Sequence, residues 1–437
     1  MSLIVRQTGS ALTGVRRGTE ENIHDAVGPP DTFRSMDLDQ TLTRRMHDLY
    51  TGLHANPELS MQEHQTAELI TSRLEAIGAE TFRCAGTGVV GILRNGEDPV
   101  VGFRADTDGL PVAEDTGLEY ASTARGELPD GTEVPVMHAC GHDTHVTAAL
   151  TAAELLSAQQ GTWAGTIVFI FQPGEETAAG AKAMVDEGLW DRAPRPEIIY
   201  GQHVMPQPAG TVRVSRGTAM AMADSWKVTV YGSGGHGSQP QDTTDPIVLA
   251  AHMVVRIQTI VSREVDPRDS AVVTIGSFHS GLKENIIPAT AEFTLNVRSF
   301  DQQVRDDVLG ALRRIISAEA AASGAPEPDI AEISTFPRCY NDPDSADALL
   351  TALRGELGEE NVEESRPLMG SEDFGALAEA IGVPSVYWFF GGHPPEMFDA
   401  GSQVPSNHSP QFAPVMEPTL TNGVRAAATA ILSRLGT

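Results

Sequence analysis

Cys140 and His142 stand two residues apart in the run Met137-His138-Ala139-Cys140-Gly141-His142-Asp143. A thiol and an imidazole so spaced are soft and borderline metal ligands, although a lone cysteine at a helix start would read as a small buried hydrophobe. Three further segments favour the metal reading: Gly174-Glu175-Glu176, Gln202-His203 and Asn407-His408-Ser409. Adjacent carboxylates repel each other, and the repulsion costs stability unless a cation or another partner offsets it. Successive side chains leave a strand end in different directions, so one of Glu175 and Glu176 could hold a metal while the other faces a substrate. Such a set has the ligands and the spare carboxylate that metal-assisted hydrolysis requires. His138 and His145 are kept outside the ligand set, because a histidine at a helix start commonly caps or packs.

Elements that could position these groups follow from the apolar patterning. Helical periodicity covers residues 38–53 and 63–77, and strand-like apolar runs follow at 89–93 and 100–103. The second run leads directly into Arg104-Ala105-Asp106-Thr107-Asp108-Gly109. An Ala/Leu-rich helix extends from His142 to about residue 160, before a strand at 166–171, a short helix at 181–187 and a strand at 198–200. This alternation predicts an α/β fold. Open α/β sheets place their chemistry at the carboxyl ends of strands, where Asp106, Glu175, Glu176 and His203 all fall.

The pattern changes near Met222. Strand 227–231, helix 246–261, strands 271–278 and 291–298, helix 303–321 and strand 329–333 give the order βαββαβ, the ferredoxin-like signature. We expect an inserted second domain over 222–336, within a first domain made of 36–221 and 337–437. The returning portion carries helices at 346–357 and 372–380, a strand at 385–390 and a last helix at 417–435, and it brings back His408. Gly232-Ser233-Gly234-Gly235-His236-Gly237 matches the dinucleotide-binding pattern G-x-G-x-x-G. The next helix starts well after the glycines, with Asp245 as N-cap and Pro246 in the first turn, so no phosphate would meet its N-terminus. The stretch reads instead as a flexible loop presenting His236 as a hydrogen-bond donor.

The 437 residues hold 59 Asp+Glu against 30 Lys+Arg, a formal net charge of −29. That charge repels polyanions, so neither nucleic acid nor an anionic membrane is an expected partner. No segment is long and apolar enough to span a bilayer. Cys84, Cys140 and Cys339 are far apart and form no Cys-x-x-Cys pair, which argues against a disulfide framework or a zinc knuckle and for a reducing, cytoplasmic setting. Near the N-terminus only Leu3-Ile4-Val5 stands where a signal peptide needs a longer apolar stretch, and residues 1–35 read as a mobile leader.

The motifs above, with Asn56-Pro57-Glu58-Leu59-Ser60, Phe103 to Pro111, Phe171-Gln172-Pro173, Asp245-Pro246-Ile247-Val248, Val297-Arg298 and Ser371-Glu372-Asp373-Phe374, occur in one order in one family. From about Met36 to the C-terminus the chain resembles the metal-dependent amidohydrolase family of N-acyl-amino-acid, hippurate and auxin-conjugate hydrolases, relatives of the aminoacylases and dinuclear carboxypeptidases. The resemblance implies a Zn-peptidase-like catalytic domain with an inserted lid domain, and a homodimer formed through the lid. It implies that Cys140, His142, Glu176, His203 and His408 hold two divalent ions, with Glu175 as general base and Asp106 supporting a ligand from behind. His236 resembles a lid histidine that reaches a catalytic site, commonly that of the partner subunit. Asn285 and Arg298 fall on lid positions suited to a substrate carboxylate. The implied substrate is a small N-acyl amino acid; a dipeptidase or carboxypeptidase, or a catalytically silent binding relative, is the alternative. A thiolate ligand favours zinc, cobalt, nickel or manganese without choosing among them. Thr144, Val146 and Gly174 depart from the residues frequent at their positions.

Overall fold

The structure is a computed structural model that describes residues 36, 38–399 and 403–437; the leader expected over 1–35 lies outside them. Apolar runs rich in Val, Ile and Phe form the large sheet, as side chains that pack well on a pleated surface should. Among the described residues it has eight strands, in the order Glu80–Cys84, Gly88–Asn95, Gly165–Gln172, Val100–Asp106, Ile198–Pro208, Ser385–His393, Val212–Val214 and Val362–Glu364. Gly165–Gln172, Val100–Asp106, Ile198–Pro208 and Ser385–His393 run parallel at its centre. Helices on both faces bury them, so they read as continuous apolar runs rather than alternating ones. On one face the helices His142–Ala158 and Thr419–Leu435 pack together, flanked by Gln40–Ala55 and Pro343–Leu357. On the other, Met184, Leu189, Trp190 and Leu377 join Val168, Ile170, Ile199 and Tyr387 in one core. No helix of the described residues is long and apolar enough to cross a membrane.

Two elements differ from expectation in ways that matter for the site. The strand expected at 198–200 continues to Pro208, because Ser385–His393 runs alongside and pairs with it through His203 and beyond. The helix expected at 372–380 is only Gly375–Glu379. Glu372 and Asp373 precede it with their carboxylates turned into the protein, where Phe374 N and Ala181 N donate to them.

Between Met222 and Phe336 the chain leaves this sheet and builds a second one. Its order is Ala271–Ser280, Thr290–Ser299, Met222–Tyr231 and Asp329–Phe336, antiparallel throughout. The helices Pro246–Ile257 and Gln302–Ala322 cover one face, with Leu249, Met253, Val308 and Leu312 against Val228, Phe293 and Leu295. Alternating burial along Thr290–Ser299 leaves the other face open. This is the ferredoxin-like arrangement, inserted in an α/β fold. Asp245 Oδ1 accepts from the N–H groups of Ile247 (2.9 Å) and Val248 (3.4 Å), so the helix starts where the cap and proline predict and away from the glycines. The glycine stretch is not a free loop: Gly235–His236 pairs with Ile286–Ile287, and Ser233 bridges Thr244.

Candidate metal centre

Gly141 turns the chain between Cys140 and the helix that starts at His142. Its φ of 82° is in the left-handed region, and a Cβ there would lie 2.4 Å from Val204 Cγ1. Only glycine lets this turn approach the strand that carries His203 so closely. As a result Cys140 Sγ lies 3.4 Å from His203 Nε2. His203 Nδ1 donates to the carbonyl of Val204 at 2.6 Å, which leaves the Nε2 lone pair towards the thiol. His142 Nδ1 likewise donates to the carbonyl of Asp108 at 2.9 Å. His142 Nε2 has no hydrogen-bond partner among the described residues, and it stands 3.6 Å from Asp106 Oδ2 and 4.0 Å from both Glu175 Oε2 and Glu176 Oε1. Glu176 Oε1 is also without a well-formed hydrogen bond, with His408 Nε2 at 3.3 Å. His408 adopts φ 69° and is tied down by its N–H, which donates to Ala139 O at 2.8 Å.

These groups overlap in threes. Cys140, His142 and His203 offer ligand atoms within 4.8 Å of one another; so do Cys140, Glu176 and His408, and so do His142, Glu175 and Glu176. Burial opposes an imidazolium at His142, but Asp106, Asp108 and Glu176 outweigh it and raise the ring to about 10. Burial pushes the Cys140 thiol well up, and the charges of Glu176 and Glu175 add to the effect. Burial, and then His145, hold His203 well below the usual histidine range. A pocket of buried carboxylates and aimed, unpartnered lone pairs is costly unless a cation sits among them. Sulfur, imidazole and carboxylate donors in this arrangement fit divalent metal of borderline softness.

Residues behind these groups hold them in place. Asp106 accepts from Arg104 Nη1 at 2.8 Å and from His145 Nδ1. His145 Nε2 accepts from Val204 N at 2.8 Å, so neither of its nitrogens is left for a metal. His138 is buried with both nitrogens unpartnered among the described residues, and it joins none of the clustered threes. Arg104 also reaches Gln172 Oε1 (2.9 Å), Glu372 Oε1 (2.8 Å) and Asp373 Oδ1 (3.2 Å). Glu175 is 5 % exposed and clusters with Glu372 and Asp373. Burial first, then the charges of Glu372, Glu176, Asp373 and Asp106, push its carboxyl well above the usual range.

Several of these positions escaped the sequence reading as site residues. Asp108 joins three parts of the site, accepting from His142 Nδ1, from Ser60 Oγ at 2.6 Å and from Glu176 N at 3.1 Å. Asn407 Nδ2 donates to the carbonyls of Cys140 (3.2 Å) and Val204 (3.3 Å). Asp143, next to His142, bonds His54 Nδ1 at 2.6 Å, and His54 Nε2 lies 3.0 Å from Glu114 Oε1. One signal was available: Arg104 interrupts an apolar strand, and a buried guanidinium requires carboxylate partners.

Among the described residues, His236, Asn285 and Arg298 make no hydrogen bond to the clustered side chains. His236 is exposed, and its Nδ1 accepts from Ser238 N at 3.1 Å. Gly237 N donates to Asn285 O at 2.9 Å, which makes His236 and Asn285 neighbours on one arm. Neither bonds to the cluster in its own chain. Arg298 Nη1 donates to Met369 O (2.6 Å) and Ser371 Oγ (3.1 Å), tying the inserted domain to the segment that leads into Glu372.

Known proteins are similar to this chain in sequence and fold. The model of Peptidase family M20/M25/M40 matches residues 102–433. The hippurate hydrolase of Campylobacter jejuni is 39% identical over 331 residues, 75% of this chain and 83% of the relative. Thermostable carboxypeptidase 2 of Saccharolobus solfataricus is 36% identical over 346 residues, 78% of this chain and 84% of the relative. The solved structure of the YXEP protein of Bacillus subtilis, described as a dinuclear metal binding peptidase of the M20 family, superposes with a TM-score of 0.72 at 28% identity, covering 91% of this chain and 99% of that one. With a family match over most of its length and the donor set in place, the chain belongs to peptidase family M20/M25/M40 and is a metal-dependent amidohydrolase.

Proposed function

We propose that the enzyme hydrolyses the amide bond of small N-acyl amino acids, releasing a carboxylate and an amino acid. The observation that carries this reading is the buried Glu175 beside the converging Cys140, His142, Glu176, His203 and His408. Two divalent ions held by those five side chains, of zinc, manganese, cobalt or nickel, would polarise the amide carbonyl and make water more acidic. Glu175, kept basic by burial and by its acidic neighbours, takes the proton of the attacking water. It then delivers that proton to the amide nitrogen, because an amine leaves poorly as an anion. Asp108 orients His142 through Nδ1, Asp106 holds His145 beside it, and Asn407 fixes the backbone around Cys140.

The substrate carboxylate is assigned to Arg298 and Asn285. Arg298 Nε and Nη1 are engaged by Asn296, Met369 and Ser371, so Nη2 is the nitrogen that would face a ligand. His236 would donate to the developing oxyanion. Its exposure, and its lack of any bond to its own cluster, support a homodimer in which the 222–336 lid of one subunit serves the other subunit's site.

The test is a panel of N-acetyl, N-benzoyl and N-indoleacetyl amino acids, read by amine release. Turnover is expected on some of the panel, to be lost on chelation and to return with manganese, cobalt, zinc or nickel. Cleavage confined to peptides with a free α-amino group would support a peptidase instead, the reading favoured by the carboxypeptidase relative. Normal metal binding without cleavage of any member would leave a binding role.

A further inference from the structure

The run Asn56-Pro57-Glu58-Leu59-Ser60 has no part in the chemistry above, yet the structure fixes it and the residue after it against the site. Gly109 N donates to Glu58 O at 2.7 Å, and Ser60 Oγ donates to Asp108 Oδ2 at 2.6 Å. Glu63 Oε1 accepts from two backbone N–H groups, those of Met61 and Gly174, both at 2.9 Å. Glu63 Oε2 accepts from Thr87 Oγ1 at 2.5 Å. One buried carboxylate thus clamps Met61 to the turn that leads into Glu175.

Met61 itself is unusual. Its φ is 63°, a strained conformation for a residue with a side chain, and such outliers persist only where the surroundings impose them. The side chain lies over Gly174, where a Cβ would come within 2.6 Å of Met61 Sδ and 3.0 Å of Cγ. It is nevertheless 37% exposed. An apolar group is therefore held at the solvent-facing lip of the turn that carries the candidate base.

We propose that Met61 forms a wall of the pocket that receives the acyl group, and that it sets the preference among acyl groups. A thioether has no charge with which to hold the amino-acid carboxylate, an end already assigned to polar lid residues. It does fit aliphatic and aromatic acyl chains, and its three rotatable bonds let it adapt to either. Glycine at 174 is then the partner that makes room for it.

The proposal rests on the N-acyl amino acid reading, and one matched series separates the two. Wild type, Met61→Ala and Met61→Leu are assayed on N-acetyl, N-benzoyl and N-indoleacetyl derivatives of one amino acid, and on one acyl group attached to several amino acids. Met61→Ala is expected to shift the benzoyl-to-acetyl ratio of kcat/KM by about tenfold, with Met61→Leu closer to wild type, as the loss of a side-chain wall requires. The ranking among amino acids should stay unchanged. An active wild type whose acyl ratio does not move in Met61→Ala, or moves only with the amino-acid part, overturns the proposal alone. A wild type inactive on every N-acyl substrate overturns the proposed function as well.

Discussion

Replacing Glu175 with glutamine removes a charge and keeps the volume, which makes it the sharpest test of the base. General acid–base groups contribute roughly 10²- to 10⁴-fold, or about 3–5 kcal/mol of barrier. The surroundings add a second expectation. Glu175 is buried among Glu372, Glu176, Asp373 and Asp106, and these charges raise its carboxyl. Glutamine cannot take up the charge that burial and these neighbours disfavour, so the metal-free fold should melt at or above the wild-type temperature. We expect kcat to fall at least 100-fold, with metal content, measured by plasma mass spectrometry, near wild type. Two results would refute the reasoning. Turnover within tenfold of wild type removes Glu175 from the base role; metal loss in step with activity makes it a ligand, which its place with His142 and Glu176 within 4.8 Å permits.

Two further outcomes are expected. Gly141→Ala combines left-handed strain of about 1–2 kcal/mol with crowding against Val204 of about 1–3 kcal/mol; urea unfolding should show a loss of about 2–5 kcal/mol, and a loss below ~1 kcal/mol would contradict the close approach. Glu63 is raised to about 7 by burial and by the charge of Asp108, so the native state holds its proton more tightly than the unfolded chain does. The stability linked to that proton is complete below the unfolded value near 4.5 and is lost as pH rises through about 7. Glu63→Gln should therefore gain stability relative to wild type across that window, on the order of 3 kcal/mol in full, and a difference independent of pH from 4 to 8 would contradict it.

Much of the architecture could be read from patterning, because the core strands are buried on both faces and so appear as unbroken apolar runs. The inserted βαββαβ unit was legible for the same kind of reason, its alternating strands and two amphipathic helices differing in period from the chain on either side. The misjudged elements were those decided by neighbours. Ile198–Pro208 outran its apolar stretch because a strand nearly two hundred residues later pairs with it. Helix-like residues at 372–374 stayed out of the helix because Arg104 and backbone donors take up Glu372 and Asp373.

Residue type and order alone determined that sulfur, imidazole and paired carboxylates would stand at strand ends and a helix start, since these depend on local pattern. Which of them converge depended on packing. Gly141 brings Cys140 to His203, and Asp108 joins His142, Ser60 and the Glu176 backbone. The support behind the site, Arg104 with Asp106, Glu372 and Asp373, spans nearly 270 positions of chain. Hydrogen bonds over such separations leave no periodic trace in a sequence, so only the tertiary structure could decide them.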